Sequence, residues 1–579
     1  MKVIRRYTAA AIQYEPKFGH KSYNIKILEE MSRIAAERAR LIVLPEMATT
    51  GYCFYDRDEI APYVEPIPGT TTELFGKISY EHSCYIVLSI PEIDQCSNNY
   101  FNTCVLIGPQ GVVGKYRKTH LYASDTKWAN MGNLGFPIFN TEIGKIGCLI
   151  CNDLYFFEPA RIMSLKGAEV ICNPTNWGKE KCPAPAWFSR AWENGVYLVS
   201  ANRWGCERGM QCSGGSSIIT PQGSLSNYID NGNGIVYSTI DLASTRQNKL
   251  SSGIHQFNDR KSIHYRALNL NTYLYNPYYT HRLYQGQVLP EGKQSVVAVY
   301  QYYPAPLKIE ENINKIESAV LTASRNKVEL LVLPELAISG NLFSKDDVKR
   351  VAEPIPGGAL LKRIVAIADK YQIGIVLSLA EKKEDKYFIT VVLVDGDGLK
   401  VKYQKIHLRR NERSWACTGE KGFRWVDLNL GRVGLLTGED CVFPESTMCL
   451  AALGADIIAI PSAIDVPKPL ALKATNSSPP STALVDDDPI HWHLWRTRAV
   501  ETNTVIAFAN QTGKGGMGNS GIFGPTDWPR NEKVISHQEG LLFYKLNTGR
   551  AGNLFPDQPV RVKENVRMRL PHLYDSLVI

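Results

Sequence analysis

The sequence predicts an α/β protein built from two copies of one large layered domain. Two observations carry this: strand-like apolar runs alternate with stretches whose apolar residues recur every three or four positions, and the landmarks of the first half return in the second. The composition agrees. Of 579 residues 44% are hydrophobic and 21% charged, with Gly 45 and Pro 32 spread throughout, which excludes collagen, coiled coil and wholesale disorder.

In chain order, Thr8-Ala-Ala-Ala-Ile-Gln13 reads as the first strand. Lys2, Arg5 and Arg6 precede it, but the run is too short for a signal-peptide core. Asn24 to Arg40 has helical spacing and leads into a strand at Leu41 to Leu44. A second helical stretch, Thr71 to His82, precedes strands at Tyr85 to Ile90 and Thr103 to Ile107, and another strand runs from Val170 to Pro174. Strands covered by helices imply buried sheets. Around Thr245 to Ser295 the pattern lapses into Tyr-, Asn- and Arg-rich sequence, the expected connection, long enough to pack on a surface.

The repeat sets the domain count. Leu41-Ile-Val-Leu-Pro-Glu46 recurs as Leu330-Leu-Val-Leu-Pro-Glu335, each followed five residues on by a glycine, Gly51 and Gly340. Gly114-Lys-Tyr-Arg-Lys118-Thr-His120-Leu recurs as Val401-Lys-Tyr-Gln-Lys405-Ile-His407-Leu, and Phe156-Phe-Glu158 as Phe443-Pro-Glu445. These landmarks are offset by 289, 287 and 287 residues, whereas Arg190-Ala-Trp-Glu193 and Arg498-Ala-Val-Glu501 are offset by 308. The second copy therefore carries an insertion, expected as a surface loop at Pro467 to Pro489. The domains are placed at 1–289, including the connection from about 245, and 290–579.

The net charge of +8 comes without a Lys/Arg block, so nucleic acid and membrane are not expected as partners. No apolar run reaches the length of a membrane-spanning helix. Thirteen dispersed cysteines read as reduced thiols of a cytoplasmic protein, one or two of them reactive.

Three residues of the first copy each follow a strand-like run: Glu46, Lys118 and Cys151. Strand ends are where α/β folds commonly assemble active sites. A carboxylate beside a thiol takes its proton, and an ammonium and helix-start amides favour the thiolate and hold an oxyanion. Each residue alone has a duller explanation, as a cap, a solvated lysine or a buried cysteine. Together they form the toolkit of covalent acyl transfer.

At this point the chain resembles the nitrilase, or carbon–nitrogen hydrolase, superfamily over both halves. The resemblance is carried by Leu44-Pro45-Glu46, Tyr116-Arg117-Lys118-Thr119-His120-Leu121, Gly147-Cys148-Leu149-Ile150-Cys151-Asn152-Asp153, Phe157-Glu158 and Arg190-Ala-Trp-Glu193-Asn194. It implies two tandem four-layer αββα sandwiches joined as an intrachain pseudo-dimer, with further homo-oligomerisation left open. It also implies a triad in which Glu46 is the base, Cys151 the nucleophile and Lys118 the oxyanion stabiliser, with the Asn152 N–H in the oxyanion hole and no metal or organic cofactor. Many members add a second Glu after the Lys. Here Asp125 stands at that place, against Glu412 in the second copy. Tyr52, Asn176 and Trp177 are candidates for the pocket wall.

Where the second copy should hold the nucleophile, the offset of 287 gives Gly438, while Glu335, Lys405 and Glu412 are kept. Cys441 falls opposite Leu154, nearly a helical turn further on. The second domain is therefore expected to be inactive. Cys151-Asn-Asp resembles the amide- and carbamoyl-hydrolysing branches rather than those with Trp-Glu after the Cys, so a small-molecule amidase is the first expectation and a nitrilase or N-carbamoyl amidohydrolase the alternative. A non-enzymatic scaffold is disfavoured by the intact first triad. The expected partner is a small amide, nitrile or carbamoyl compound.

Overall fold

A computed structural model describes residues 3–178, 182–247, 249–251, 253–270, 289–342, 344–464, 472–473, 487–488, 490–513, 517–526, 531–549 and 557–579. The insertion expected at Pro467 to Pro489 lies, apart from residues 472–473 and 487–488, outside the described residues, as does 271–288 of the connection.

The chain divides into two compact units, the first running to residue 248 and the second starting at 249. In the first, the strands in chain order are β1 (Arg6–Gln13), β2 (Leu41–Val43), β3 (Tyr85–Asp94), β4 (Asn99–Gly108), β5 (Gly111–Arg117), β6 (Ile138–Thr141), β7 (Gly144–Cys148), β8 (Val170–Thr175), β9 (Tyr197–Asn202), β10 (Trp204–Glu207), β11 (Met210–Ser213), β12 (Ser216–Ile219), β13 (Leu225–Ile229) and β14 (Gly234–Asp241). One six-stranded sheet has the order β14-β1-β2-β3-β4-β5 and the other β13-β12-β9-β8-β7-β6. Each has a parallel centre, β1-β2-β3 and β7-β8-β9, with antiparallel flanks. Register is pinned along the longest pairs, with Arg6 opposite Asp241 and Ile86 opposite Ile107.

The sheets face each other, β1 against β9 and β12, and β2 and β3 against β8. Helices Lys21–Ala36 and Thr70–His82 cover the outer face of the first sheet, and Phe157–Leu165 and Pro185–Asn194 pack together beside β9 and β12 of the second. Ala10, Ile12, Ile42, Leu44, Ile86 and Leu88 meet Leu28, Ala35, Phe75 and Ile78 of the covering helices. The alternate residues Ala9, Ala11, Val43 and Val87 are also fully buried, turned toward the other sheet. This two-sided burial explains why the central strands read as unbroken apolar runs. The helix Thr70–His82 starts where Thr72 and Gly69 exchange hydrogen bonds and stops at Ser83, whose φ is +50°.

The second unit repeats the plan. Its sheets run Gly398–Gln404, Lys386–Asp395, Gly374–Lys383, Leu330–Val332, Gln294–Gln301, Gly540–Asn547, and Arg424–Leu428, Gly431–Leu435, Ile457–Ser462, Val505–Asn510, Gly521–Phe523, Glu532–Val534. From Lys249 on, the described part of the connection, placed with the first domain from sequence, packs with this unit. Tyr265 Oη lies 2.8 Å from His407 Nε2, and Arg260 Nε donates to Glu445 at 2.9 Å. Pairing to buried groups of the second unit ties the segment there, which the connection's irregular sequence did not signal. No helix among the described residues is long and apolar enough to cross a membrane.

Candidate active site

Beyond β7 the chain passes through Leu149 and Ile150 into a short 3-10 turn, Cys151–Tyr155. Cys151 has φ +46°, a left-handed conformation that costs a non-glycine residue about 1–3 kcal/mol when surroundings force it. The surroundings here do. Cys151 N–H donates to Asn173 Oδ1 (3.1 Å), Ile150 N–H to Asp153 Oδ2 (2.9 Å), and Arg190 reaches the carbonyls of Leu154 and Tyr155 at 3.1 Å each. Asp153 also receives Tyr116 Oη at 2.8 Å and the His120 N–H at 3.1 Å, and its oxygen lies 2.9 Å from His120 Nδ1. It thus joins the Lys118-Thr119-His120 segment to the Cys151 turn. Burial alone would raise the Asp153 pKa, but His120 and the Ile150 N–H hold it below the usual value, so it serves as an ionised hub.

Glu46 follows β2, and Lys118 directly follows β5, its N–H donating to the Asn102 carbonyl of β4 at 2.9 Å. Lys118 Nζ lies 2.8 Å from Glu46 Oε1 and 2.6 Å from Asp125 Oδ2, and Asn102 Nδ2 bridges the same two carboxylates at 2.8 and 3.0 Å. Among the described residues, no group hydrogen-bonds the buried Glu46 Oε2. Asp125, in doubt from sequence because it is a methylene shorter than Glu, is completely buried and reaches the ammonium.

The electrostatics are those of a dry site. Burial lifts the Glu46 pKa above the ordinary carboxylate value against the pull of Lys118, while Asp125 adds to the rise. Burial works against the Lys118 ammonium, yet Asp125 and Glu46 outweigh it and hold its pKa well above normal. The Cys151 thiol is pushed up by burial and by the Glu46 charge; Lys118, the Thr175 hydroxyl and the Asn176 N–H pull it down without compensating. Lys118 and the backbone amide thus favour the thiolate as expected, but desolvation outweighs them.

The other candidates divide by role. Tyr52 is buried behind the cluster: its hydroxyl donates to the Tyr122 carbonyl (2.5 Å) and lies 3.3 Å from Asp125 Oδ2, and its ring centre is 5.7 Å from Lys118 Nζ. Asn152 Nδ2 donates to the His120 carbonyl at 3.3 Å, which fixes the turn against the Lys118 segment. Trp177 stacks on Tyr155 of the nucleophile turn at 4.5 Å and meets Trp187 edge-on at 5.6 Å. Asn176 is 6% exposed, and among the described residues neither polar atom of its side chain finds a partner. The sequence reading missed Asn102, Asn173, Asp153 and Arg190. For Asn102 and Asn173 a signal existed, since the offset of 287 sets them against Ile389 and Ile460, exchanging polar groups for apolar ones between the copies.

In the second unit Gly438 has φ +47°, matching Cys151. A Cβ built there would lie 2.8 Å from Glu335 Oε2 and 3.0 Å from Lys405 Nζ, so the position faces the same carboxylate and ammonium with no room for a side chain. The space is filled from two other positions. Glu439 replaces Asn152 and Arg409 replaces Tyr122 at the same offset. Lys405 Nζ lies 3.0, 2.9 and 2.7 Å from Glu335, Glu412 and Glu439, and Arg409 Nη2 lies 2.6 and 2.7 Å from Glu335 and Glu412. Oxygens of the three carboxylates approach within 4.8 Å of one another, spacing suited to a cation, and the ammonium and guanidinium supply that charge. Cys441 Sγ donates to the Gly438 carbonyl at 2.8 Å, back toward its own turn.

Burial raises the Glu335 pKa to about 7, with Glu412 adding to the rise against Lys405. A carboxyl raised in the folded state stabilises fully below its unfolded value near 4.5 and progressively less as pH climbs through 7. The second unit is expected to lose roughly 3 kcal/mol from this group over that window. Glu335→Gln should flatten that limb in thermal melts recorded from pH 4.5 to 8; an unchanged slope would reject the assignment.

Two helix-covered double sheets in tandem, the first gathering a thiol, a carboxylate and an ammonium at its strand ends, define the class: a tandem αββα protein with one thiol-bearing site. The sequence model of the carbon–nitrogen hydrolase family matches residues 8–249 and again 296–544, and the chain belongs to that family. It is a hydrolase of carbon–nitrogen bonds and a tandem member of the nitrilase superfamily. It is similar to a nitrilase of Pyrococcus abyssi, 35% identical over 44% of this chain and 98% of that protein. It is also similar to an omega-amidase of Homo sapiens, 31% identical over 36% of this chain and 79% of that one. Among solved structures, Saccharomyces cerevisiae Nit3, a member of branch 10 of the nitrilase superfamily, matches at 24% identity and TM-score 0.39, covering 42% of this chain and 94% of that chain.

Proposed function

We propose that the first unit is an amidase that converts a small-molecule amide to a carboxylate and ammonia through a thioester on Cys151. The observation that carries this is the divided Glu46 carboxylate: Oε1 is held by Lys118 and Asn102, while Oε2 is buried without a partner. An oxygen so placed suits transient acceptance of a thiol proton.

In this reading Glu46 takes the Cys151 proton as sulfur attacks the carbonyl carbon. The oxyanion forms beside the Lys118 ammonium and the Asn152 N–H. Collapse breaks the C–N bond, and Glu46 returns the proton to the departing nitrogen. Water then gives a proton to Glu46 and attacks the thioester; carboxylate leaves and the proton goes back to sulfur. Asp125 keeps Lys118 charged throughout and orients it, with Asn102 and Tyr52 as its supports. Asn176 offers an unpartnered carboxamide to the substrate, because a buried amide without partners costs about 1–3 kcal/mol that a ligand's polar group would offset. Trp177 is a wall residue. The second unit, without a nucleophile, takes no part in the chemistry.

Relatives named nitrilase and relatives named amidase both occur, and both chemistries pass through the same thioester. A coupled ammonia assay over amides, nitriles and carbamoyl compounds tests the reading. Turnover of amides with a Cys151 acyl adduct in the mass spectrum supports it, whereas turnover of nitriles alone overturns it. The acid limb of kcat/KM should report the Glu46–Cys151 pair and lie above pH 4.5, because burial raises Glu46. A rate that rises steadily into strong acid would reject Glu46 as the base.

A further inference from the structure

The first unit carries a second concavity that the proposed chemistry does not use. It has a volume of about 690 Å3 and lies among the end of β1, the segment leading into helix Lys21–Ala36, and the β10–β11 hairpin. None of Glu46, Lys118, Asp125 or Cys151 lines it. Its size is that of a small-molecule site. Arg203, 1% exposed, and Glu207, 4% exposed, belong to its buried lining. Phe18, Tyr23, Lys17 and Arg208 line its more open part.

The charges there are unevenly committed. Glu207 Oε2 meets Arg203 Nη1 at 2.7 Å, and its Oε1 receives the N–H groups of Tyr52 and Cys53 at 2.8 and 2.6 Å. Arg208 is paired with Glu59 and lies over the Phe18 ring at 4.0 Å. Among the described residues two cationic groups of the lining are left for a ligand: Arg203 Nε, which is buried without a hydrogen-bond partner, and the Lys17 ammonium, which rests over the Tyr23 ring at 4.1 Å. A buried guanidinium N–H without an acceptor is costly, and an incoming anion relieves the cost. The Phe18 and Tyr23 rings beside it favour an anion with an apolar or aryl body.

We propose that this cleft binds an amphipathic monocarboxylate, its carboxylate between Arg203 Nε and Lys17 and its hydrocarbon part against Phe18 and Tyr23. On the function proposed above, this is the chemical class the first unit releases, so the cleft is a product-sensing site. The route to the catalytic cluster is short. A carboxylate drawn to Arg203 competes with Glu207, which holds the Tyr52 backbone, and the Tyr52 hydroxyl in turn lies 3.3 Å from Asp125 Oδ2.

The test is calorimetric titration of phenylacetate into the full chain carrying Cys151→Ala, which leaves the exposed Cys206 of the cleft unmodified. Binding is expected, and Lys17→Ala and Tyr23→Ala are each expected to weaken it about fivefold or more. Absence of binding, or affinity indifferent to both substitutions, would overturn the proposal. The ammonia assay separates the two readings: binding without turnover of any amide leaves the carboxylate site standing and removes its link to product, and turnover without binding removes the site alone.

Discussion

Replacing Cys151 by alanine is expected to lower ammonia release by about 10⁴-fold or more, since deletion of a covalent nucleophile removes the route itself rather than one of its supports. Cys441→Ala is expected to leave turnover unchanged, because its thiol is bonded to the Gly438 carbonyl and points away from Glu335. Two features make the loss specific to one position. The left-handed φ of +46° at Cys151 is maintained by Asn173, Asp153 and Arg190, and none of these contacts uses the sulfur. The fold should therefore survive, with a stability change of about 1–2 kcal/mol for one buried sulfur. In the second unit Gly438→Cys should create no activity in the Cys151→Ala background, because the new Cβ would meet Glu335 Oε2 at 2.8 Å and Glu439 and Arg409 already fill the surrounding space. Turnover surviving in Cys151→Ala, or abolished by Cys441→Ala alone, would overturn the assignment.

The exchange of Cys151 for Gly438 was legible because it is a single substitution in an ungapped stretch, where the landmarks on either side hold an offset of 287. The way its space is filled was not. Glu439 and Arg409 each look like surface charge when read alone, and their meaning appears only when folding brings Glu439 onto Lys405 and Arg409 onto the carboxylates around it. Fully ionised, Glu46 and Asp125 around Lys118 leave one negative charge in the first unit. Glu335, Glu412 and Glu439 around Lys405 and Arg409 leave one as well. The second unit has thus added an anion and a cation together, which leaves the net charge of the cluster unchanged; the added anion alone would have doubled it.

The layers of the fold were legible for a simpler reason. Period and length separate Leu41 to Leu44 from Asn24 to Arg40 without any tertiary information. The supports of the site escaped because they act across strands. Asn102 bridges Glu46 and Asp125 from β4, and Asn173 receives the Cys151 N–H from β8, 56 and 22 residues from Glu46 and Cys151 respectively. Nothing local marks an asparagine inside an apolar strand as more than a tolerated polar residue. Arg190-Ala-Trp-Glu193 was recognised as a recurring motif, but its reason lies in space: Arg190 donates to the carbonyls of the turn that starts at Cys151, as Arg498 does to those of the matching turn in the second unit at 3.4 and 3.3 Å. Gly51 has a similar cause. Its φ is +88°, and a Cβ would come within 2.6 Å of Glu207 Oε2, so the glycine following each Leu-Pro-Glu is, in this copy, the allowance for a carboxylate bracing Tyr52.

Lys118→Met is expected to reduce kcat by roughly 10³–10⁵-fold, because in the proposed mechanism the one ammonium performs two tasks. Its first is to meet the developing oxyanion, and removing such a donor costs about 10²–10³ in rate. Its second is to keep Glu46 able to accept a proton. With burial already raising Glu46, loss of the cation 2.8 Å away leaves Glu46 and the completely buried Asp125 as neighbouring carboxylates with only the neutral Asn102 amide bridging them. One of them must then take up a proton at neutral pH. That protonation limits the stability cost, which for an unrelieved buried pair is about 3–5 kcal/mol, and shows as a melting temperature that falls when pH is raised. The same protonation gives the variant a kinetic signature. Its residual activity should climb with pH into the alkaline range as Glu46 ionises, whereas a lysine that only packs would leave the pH profile where it was. Lys118→Arg should not restore the rate, since a planar fork cannot place one nitrogen against Glu46 and Asp125 as the ammonium does at 2.8 and 2.6 Å. A variant that keeps kcat and changes only KM would show that Lys118 binds substrate without touching the transition state.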